Sequence, residues 1–259
     1  MKKVEGYMAV LCDYLNASSR ISLSEASLLL NVSESTARRL FTRLEQTGKA
    51  IRIHGGLKKI PEIIEEYSFE QAETQKLLEK KSISQAVISE IEGCSSIYLD
   101  SGSTVLQVSV ALANFLRGKE TPLPTIFTNS LRNMAVLTDV APIQLIGGMY
   151  RIQRRDFCGF IAEHALKQLH FDVCILGTDG CKISDGFTTT DFDTAKLNEI
   201  VITRSSKKIV VADATKFTTG AMIRYAQIHE IDKIYTDASL LSTIDEPYNK
   251  LGVKIVRAK

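Results

Sequence analysis

The chain has 259 residues, of which 44% are hydrophobic and 24% are charged, as in ordinary globular proteins of one large or two unequal domains. The net charge of +2 excludes a chain that is strongly basic or acidic throughout. No run approaches the ~20 consecutive apolar residues of a membrane helix, and the N-terminus lacks the uninterrupted apolar core of a signal peptide. We therefore expect a cytoplasmic protein.

The cysteines and the distribution of charge indicate which kinds of site the chain is expected to have. The five cysteines are scattered and form no CxxC pair, which argues against a metal site or a disulfide framework, and no cofactor is expected. Residues 1–60 hold ten Lys or Arg against five Asp or Glu, whereas residues 61–259 hold 22 against 25. A basic segment on an acidic remainder indicates an anion-binding head attached to a larger body with another role.

The first segment of the chain predicts two helices and a tight turn. A helical stripe of apolar side chains is formed by Val4, Met8, Leu11 and Leu15. Ser22, followed three residues later by Glu25, is a capping-box pattern that predicts the start of a short second helix. Asn31 tolerates the left-handed backbone of a chain reversal, so we expect the second helix to end there.

The next segment predicts a third helix and a β-hairpin. Ser33 can cap the helix, and Gly48 can end it. Its apolar spacing directs four side chains toward a core, namely Ala37, Leu40, Phe41 and Leu44. The stretch AIRIHGGLKKI then alternates isoleucines with Arg52 and His54 before a pair of glycines, which is typical of a small hairpin.

A short helix, a tight turn, an amphipathic helix and a hairpin together predict a winged helix-turn-helix. The outward face of the third helix fits a major groove, because arginine reads guanine edges and hydroxyls bind phosphates. The candidates on this face are Ser33, Ser35, Thr36, Arg38, Arg39, Thr42 and Arg43. The hairpin adds Arg52, His54 and Lys58 as candidates for DNA backbone contacts. An ordinary solvated helix face is the alternative, and the order of the elements favours DNA binding.

The remaining chain predicts an α/β domain. Pro61 marks a boundary, so we predict a DNA-binding domain over 1–60, a linker helix region over 61–92 and an α/β domain over 93–259. Strands alternating with helices indicate a mainly parallel sheet that is covered on both faces. The predicted strands span 95–100, 125–129, 143–147, 172–177, 208–213, 233–237 and 253–257.

Polar and glycine-rich loops follow several of these strands, where open parallel sheets bind ligands. They read DSGST, TNS, GG, GTDG with GFTTTD, and DATKF. Bare backbone N–H groups and hydroxyls at the start of a helix suit a phosphate. Each motif alone is more often a turn or a cap, but five at the same kind of sheet edge favour a pocket for a phosphorylated polyol or sugar.

These motifs together resemble the DeoR family of bacterial transcriptional regulators. The N-terminal segment resembles it in the N-V-S turn, the paired arginines and the R-x-H-G-G hairpin. The remainder resembles it in YLDSGST, FTNS, LIGGMYR, LGTDG and ADATKF, so that nearly the whole chain is covered. The resemblance implies an effector-binding domain similar to ribose-5-phosphate isomerase and CoA-transferase folds, with a sugar phosphate or a close relative as inducer or corepressor.

The resemblance also implies which residues line the pocket. They are Asp100, Ser101, Gly102, Ser103, Thr104, Thr128, Asn129, Gly147, Gly148, Asp179, Gly180 and Lys216. The chain departs from the family pattern in two places. Leu40 stands where an Asp commonly follows the paired arginines, and Thr194 and Asn198 stand where the family often has an acid and then a basic residue.

Two functions remain as alternatives. The first is a repressor of a sugar-metabolism operon that binds double-stranded operator DNA as a homodimer or homotetramer, since one small winged domain buries little DNA surface. The second is an isomerase-like enzyme with a basic appendage, in which Asp100, Asp179, Asp213 and Lys216 supply acid and base. No Cys–His or Ser–His–Asp pattern is evident and fold similarity does not transfer chemistry, so we expect a regulator without enzymatic activity.

Overall fold

The structure, a computed structural model, consists of two compact units, Met1–Glu66 and Tyr67–Lys259. It describes residues 2–18, 20–47, 49–53, 55–59, 67–119 and 122–258. The side chains of residues 2, 3, 5, 16, 17 and 59 are also outside the description. In the part of the chain so defined, no helix is long and apolar enough to cross a membrane.

The first unit contains three helices and a three-stranded antiparallel sheet. Its elements are α1 (Lys2–Ser18), β1 (Arg20–Ser22), α2 (Leu23–Leu30), α3 (Glu34–Gln46), β2 (Ala50–Ile53) and β3 (Gly56–Lys59). The three helices and the hairpin confirm the predicted winged helix-turn-helix. The strand β1 was not predicted, because three residues are too few to show an alternating pattern; it pairs with β3 and gives the order β1-β3-β2.

Side-chain caps fix the starts of α2 and α3, and a left-handed residue makes the turn between the two helices. Ser22 and Glu25 form the predicted capping box, with the Ser22 amide donating to Glu25 Oε2 at 2.7 Å and the Glu25 amide donating to Ser22 Oγ at 3.2 Å. Asn31 is left-handed at φ 49°, which lets the chain reverse. Ser33 then caps α3 by accepting from the Thr36 amide at 3.4 Å. These contacts fix where α3 starts.

The second unit is organised around a seven-stranded parallel sheet of order β14-β13-β11-β9-β4-β5-β6. Its strands are β4 (Ser96–Leu99), β5 (Thr125–Thr128), β6 (Ile143–Leu145), β9 (Phe171–Leu176), β11 (Ser205–Val211), β13 (Lys233–Thr236) and β14 (Lys254–Arg257). All seven predicted strands are therefore confirmed. Two antiparallel ribbons add β7 (Met149–Arg151) with β8 (Asp156–Cys158), and β10 (Phe187–Thr189) with β12 (Ile223–Ala226).

Helices cover both faces of this sheet, and each face has its own hydrophobic core. They are α4 (Phe69–Thr74), α5 (Leu77–Val87), α6 (Ser103–Leu116), α7 (Leu131–Leu137), α8 (Phe160–Lys167), α9 (Phe192–Thr203) and α10 (Asp245–Lys250). Apolar side chains of α5, α6 and α7 pack on one face, and those of α8, α9 and α10 pack on the other. The fully buried strands explain why they were recognisable as short apolar runs.

The region predicted as a linker helix over 61–92 has a different organisation. The described part of it forms two helices, α4 and α5, which are separated at Lys76, where φ is 53°. Ile83 and Val87 of α5 are fully buried in the core beneath α6. Residues from Tyr67 onward therefore belong to the second unit, because their apolar stripe is needed to complete its core.

Candidate functional site

The outward face of α3 presents the predicted arginines. Four side chains are buried as expected, namely Ala37, Leu40, Phe41 and Leu44. Arg38, Arg39 and Arg43 are exposed, and their guanidinium groups form no ion pair or hydrogen bond with any residue that the structure describes. Thr42 is also exposed, although its hydroxyl donates to the Arg38 carbonyl at 3.1 Å. The face is thus a cluster of unengaged positive charge.

Three hydroxyls lie together at the N-terminus of α3. Ser33 Oγ is 2.9 Å from Ser35 Oγ and 3.0 Å from Thr36 Oγ1. A helix N-terminus with exposed hydroxyls attracts anionic groups, including DNA phosphates. The structure therefore brings the seven candidates of α3 to one end and one face of the same helix.

The strand β2 turns its isoleucines toward solvent and Arg52 toward the interior. Ile51 and Ile53 are 44% and 37% exposed, whereas Ala50 is buried. Arg52 lies opposite the buried Leu57 in β3, and its guanidinium carbon lies 5.4 Å from the ring centroid of Phe41. The Nη1 atom of Arg52 is buried and lacks a hydrogen-bond partner among the described residues. Contact between Arg52 and DNA would therefore require its side chain to turn outward; His54 lies outside the described residues.

A basic residue that sequence reasoning missed lies beside the predicted Lys58. Arg20 in β1 pairs directly with Lys58 in β3, and both side chains are exposed on the outer face of the three-stranded sheet. A strand of three residues gave no pattern by which Arg20 could be placed. Together the two side chains extend the positive surface of the first unit beyond α3.

In the second unit, the reversal of strand order occurs between β4 and β9 at the centre of the sheet. Open α/β sheets bind ligands beyond the carboxyl ends of the strands at such a point. Asp100 follows β4, and its carboxylate accepts from the amides of Ser101 at 2.7 Å and Gly177 at 3.0 Å. Burial raises the pKa of Asp100, while the two amide hydrogen bonds oppose that rise. Asp100 therefore joins the two loops that meet at the switch point.

The helix α6 begins in the DSGST loop without a side-chain cap. Gly102 is its N-cap residue, and Ser103 and Thr104 are half-buried. Ser101 is turned away from the helix, because its hydroxyl donates to the buried Asp156 at 2.8 Å. An uncapped first turn of 14-residue α6 leaves backbone N–H groups that an anion can accept.

Lys80 is the main residue of this site that the sequence did not reveal. It lies on α5, is 5% exposed, and donates to the Ala72 carbonyl at 2.5 Å and to Ser103 Oγ at 3.1 Å. Burial lowers the pKa of Lys80, while Asp213 opposes that effect and the positive charge of Lys216 adds to it. Its position three residues before buried Ile83 is a signal, since a lysine on an apolar stripe has an unusual environment.

Lys216 lies beyond β11 in a short 3-10 helix that spans Ala214–Phe217. It is half-buried, and its ammonium group has no hydrogen-bond or ion-pair partner among the described residues. Asp213 caps the same 3-10 helix by accepting from the Thr215 amide at 3.0 Å. Lys80 lies at the uncapped start of α6 through its bond to Ser103, and Lys216 is near enough to Lys80 for its positive charge to lower the pKa of Lys80.

Two other predicted polar residues are engaged within the protein. Thr128 is fully buried and donates to the Leu99 carbonyl at 2.6 Å. Asn129 is 2% exposed, donates to the Phe157 carbonyl at 3.0 Å and accepts from the Tyr98 hydroxyl at 3.2 Å. Both side chains hold the loop after β5 in place, so a direct role in ligand contact is not evident from their geometry.

Asp179 and the predicted glycines shape the surrounding loops. Asp179 accepts three hydrogen bonds at 2.9–3.2 Å from Thr189 and Thr190. A Cβ at Gly180 would lie 2.4 Å from the Thr219 carbonyl oxygen, and one at Gly148 would lie 2.4 Å from the Cys158 carbonyl oxygen. These two glycines permit close backbone packing. A Cβ at Gly147, in contrast, would meet no described atom within 4 Å.

Arg151 is the centre of a hydrogen-bond network that includes Thr194, one of the positions at which the chain departs from the family pattern. Arg151 contacts Asp156 through two hydrogen bonds of 2.8 Å, Asp191 at 2.5 Å and Thr194 at 3.1 Å. Burial favours the neutral acid of Asp191, but the hydrogen bonds from Arg151 and Thr194 outweigh it and lower the pKa of Asp191 to about 2. One turn along α9, Asn198 is 1% exposed and neither polar atom of its side chain has a partner among the described residues.

Among the described residues, no group of three or more His, Cys, Asp and Glu side chains could hold a metal ion. Apart from the Asp100 carboxylate, which accepts from two amides, the polar groups described above at the switch point are amides, hydroxyls and ammonium groups. Such donors bind an anion with hydroxyls better than a cation. The arrangement can therefore bind a phosphorylated, hydroxyl-rich molecule.

Solved structures give only distant likenesses. Ribose 5 phosphate isomerase A from Neisseria gonorrhoeae matches with a TM-score of 0.38 and 18% identity over 53% of this chain and 52% of that chain. Ribose 5-phosphate isomerase from Plasmodium falciparum matches with a TM-score of 0.39 and 18% identity over 53% and 52%. Scores this low carry no argument about chemistry.

Relatives by sequence match over nearly the full chain. The HTH-type transcriptional regulator FruR of Bacillus subtilis is 30% identical over 249 residues, which cover 96% of each chain. The regulator GlpR of Haloferax volcanii is 26% identical over 95% of this chain and 94% of its own. A putative aga operon transcriptional repressor of Escherichia coli is 28% identical over 93% and 89%.

Two family profiles match the two units. The profile described as a DeoR-like helix-turn-helix domain matches residues 8–62, and the profile described as a DeoR C terminal sensor domain matches residues 75–238. The second profile alone covers more than half of the chain. The chain belongs to the DeoR family and is a DNA-binding transcriptional regulator.

Proposed function

We propose that this regulator represses an operon of sugar metabolism and that a phosphorylated sugar controls its DNA binding. The observation that supports this most is the uncapped start of α6 at the switch point, with the amines of Lys80 and Lys216 beside it. Backbone N–H groups and two ammonium groups suit a phosphate, and the hydroxyls of Ser103 and Thr104 suit sugar oxygens.

Repression is supported by two relatives that are named as repressors. The HTH-type transcriptional repressor GlcR of Bacillus subtilis is 29% identical over 99% of this chain, and the relative from Escherichia coli is named as a repressor of an operon. Double-stranded operator DNA is the proposed partner, and α3 is the proposed reading helix. A homodimer or homotetramer fits this role, since paired half-sites compensate for the small surface of one winged domain.

Binding without turnover fits the candidate acids better than isomerase chemistry does. Asp100 accepts from two backbone amides, and Asp179 accepts three hydrogen bonds from its neighbours. These hydrogen bonds assign both carboxylates to holding the loops, and fold similarity alone does not transfer isomerase chemistry. We therefore propose a sensor rather than an enzyme, and incubation with ribose 5-phosphate should yield no ketose product.

A thermal-shift assay tests the proposed effector class. Ribose 5-phosphate, glucose 6-phosphate and fructose 6-phosphate are added to the full chain at increasing concentration. A ligand at 100 times its Kd stabilises the folded state by ~2.7 kcal/mol, which corresponds to an increase of roughly 5–10 °C in Tm. Lys216→Met should abolish the increase and exposed Lys167→Met should keep it. If no phosphorylated sugar raises Tm, the proposed effector class is wrong.

A further inference from the structure

The segment 67–75, which we call the strap, is the first part of the second unit after the connection to the first. It is fastened at three points to the turn between β7 and β8 and to α7. The Phe69 amide donates to the Gln153 carbonyl at 2.9 Å. Glu70 pairs with Arg155 at 2.6 Å, and Glu73 pairs with Arg132 at 2.9 Å.

The partners of the strap belong to the rim of the proposed effector pocket. Gln153 and Arg155 lie in the turn between β7 and β8, and Asp156 in the same hairpin binds Ser101 of the DSGST loop at 2.8 Å. Arg132 is in the first turn of α7, directly after the TNS loop. The two ion pairs are partly exposed and contribute little stability, whereas the buried Phe69 side chain anchors the strap.

Tyr67 places an aromatic ring and a hydroxyl at the start of the strap. The ring lies on Arg154, whose guanidinium carbon is 4.3 Å from the ring centroid. Arg154 also donates to Thr190 Oγ1 at 3.3 Å, beside Asp179. The Tyr67 hydroxyl makes no hydrogen bond with any residue in the described part of the chain.

Electrostatics places Tyr67 close to the switch point. Burial raises the pKa of Tyr67 well above its ordinary value, and Arg154 opposes the rise. The carboxylates of Asp179, Asp100 and Asp156 are near enough to raise the pKa of Tyr67 further. Because Tyr67 is half-buried and its hydroxyl has no partner among the described residues, that hydroxyl can bond a ligand at this place.

The far end of the strap is connected to the proposed anion site. The carbonyl of Ala72 accepts from Lys80 Nζ at 2.5 Å, and the same ammonium group donates to Ser103 at the start of α6. A phosphate at that position would compete with the Ala72 carbonyl for the charge of Lys80, since charge-assisted hydrogen bonds to an anion are stronger than those to a neutral carbonyl.

We propose that the strap is part of the effector site and senses its occupancy. The Tyr67 hydroxyl bonds a hydroxyl of the bound sugar phosphate, and the phosphate draws Lys80 away from Ala72, so that bound and free states hold the strap differently. Because the strap follows the first unit directly in the chain, this difference reaches the DNA-binding domain. The inference rests on the proposed function and adds Tyr67 as a ligand contact.

The affinity test compares Tyr67→Phe with the unmodified chain, using ribose 5-phosphate, glucose 6-phosphate, fructose 6-phosphate and inorganic phosphate as probes. Loss of one sugar hydrogen bond should weaken a sugar phosphate about tenfold and leave inorganic phosphate unchanged. Equal sugar-phosphate affinities in Tyr67→Phe and the unmodified chain would overturn the contact. If no sugar phosphate raises the Tm of the unmodified chain, the proposed function fails and this inference falls with it.

A fluorescence test follows the strap itself. The chain contains no tryptophan, so Gln71→Trp, at an exposed position of the strap, creates a single reporter and keeps the Tyr67 hydroxyl. Ribose 5-phosphate, or whichever of the three sugar phosphates raises Tm, should change its emission. Leu251→Trp, in an exposed turn next to α10, should not respond. A silent reporter at position 71 with a ligand that still raises Tm would refute sensing by the strap while leaving the effector proposal intact.

A charge exchange tests the connection to DNA binding. Glu70→Arg and Arg155→Glu each break the ion pair, and the double variant restores it with reversed charges. We expect the ratio of DNA affinities with and without the sugar phosphate to move toward one in each single variant and to recover in the double variant. Unchanged ratios in both single variants would overturn the role of this strap contact.

Discussion

At the scale of single residues, Asn198 is the clearest case in the second unit of a buried polar side chain without hydrogen-bond partners among the described residues. Its amide is 1% exposed on α9, and both Oδ1 and Nδ2 lack partners among the described residues. An unsatisfied buried amide costs ~1–3 kcal/mol. In the family pattern, an acid often stands at position 194 and a basic residue at position 198. Here position 194 is Thr194, which accepts from Arg151, so no acid at position 194 requires a basic residue at position 198.

We therefore expect Asn198→Leu to stabilise the protein. Replacing an unpaired amide by an apolar side chain of similar volume should raise the free energy of unfolding by about 1 kcal/mol. Asn198→Asp is the matched control and should lower it, because a buried charge without a partner is costly. Urea denaturation measures both changes. A loss of stability in Asn198→Leu would mean that the amide has a partner in solution.

Glu90 predicts a specific loss of stability in acid. Burial favours its neutral form, but hydrogen bonds from Lys233 at 2.6 Å, Tyr235 at 2.5 Å and Lys207 at 3.1 Å outweigh this and lower the pKa of Glu90 to about 2. A group with a lowered pKa in the folded state stabilises the protein above its ordinary pKa. That stabilisation is lost as the pH falls from 4.5 toward about 2.

The variant Glu90→Gln isolates this contribution. It should be less stable than the unmodified chain at pH 6 by roughly 1–3 kcal/mol, and the difference should shrink as the pH falls toward 2.5. Asp191 titrates in the same range, so the comparison between variant and parent is the relevant measurement. A difference that does not depend on pH would contradict the assigned ionisation.

At the scale of elements, α3 and the wing have separable roles in DNA binding. Arg38→Ala or Arg39→Ala should cost ~1–3 kcal/mol if the side chain reads a base, and should relax specificity at one position. Loss of Arg20 or Lys58 should weaken all DNA sequences alike and reduce the salt slope by about one. Arg117→Ala, in an exposed turn of the second unit, is the charge-matched control. Full operator binding by the Arg38→Ala, Arg39→Ala double variant would contradict the assignment of α3.

The strands of the large sheet could be predicted from the sequence, whereas the buried face of β2 could not. Buried parallel strands are continuous apolar runs, which are recognisable without knowing their neighbours. An alternating strand such as β2 reveals its period but not which face is buried. The face that packs against Phe41 carries Ala50 and Arg52, because pairing with β3 sets Arg52 opposite the buried Leu57.

The composition of the candidate site was only partly predictable. The loops after β4 and β9 were expected at one edge, because parallel strands place their carboxyl ends together. Lys80 and Tyr67 come from the segment that precedes the sheet, so no strand-end rule points to them. Arg151 could not be found either, since its partners Asp156 and Asp191 are distant from each other in the chain.

At the scale of the whole molecule, control requires that the effector binds two arrangements of the protein with different affinity. A coupling of ~1–3 kcal/mol, which is a 5- to 150-fold change in DNA affinity, is typical of such systems. The two partly exposed ion pairs of the strap can rearrange within a change of this size, because each contributes little stability, while the buried Phe69 remains as an anchor. In the chain, the strap begins at Tyr67, directly after the last residue of the first unit.

DNA affinity at fixed salt, measured in the presence and absence of effector, is the most direct test of control by a phosphorylated sugar. A duplex selected by the full chain from a random pool is titrated by fluorescence anisotropy, with and without a saturating sugar phosphate that raises Tm. We predict at least an approximately fivefold change in Kd, which Tyr67→Phe reduces at the same ligand concentration. An identical Kd with every sugar phosphate that binds would contradict control by a phosphorylated sugar.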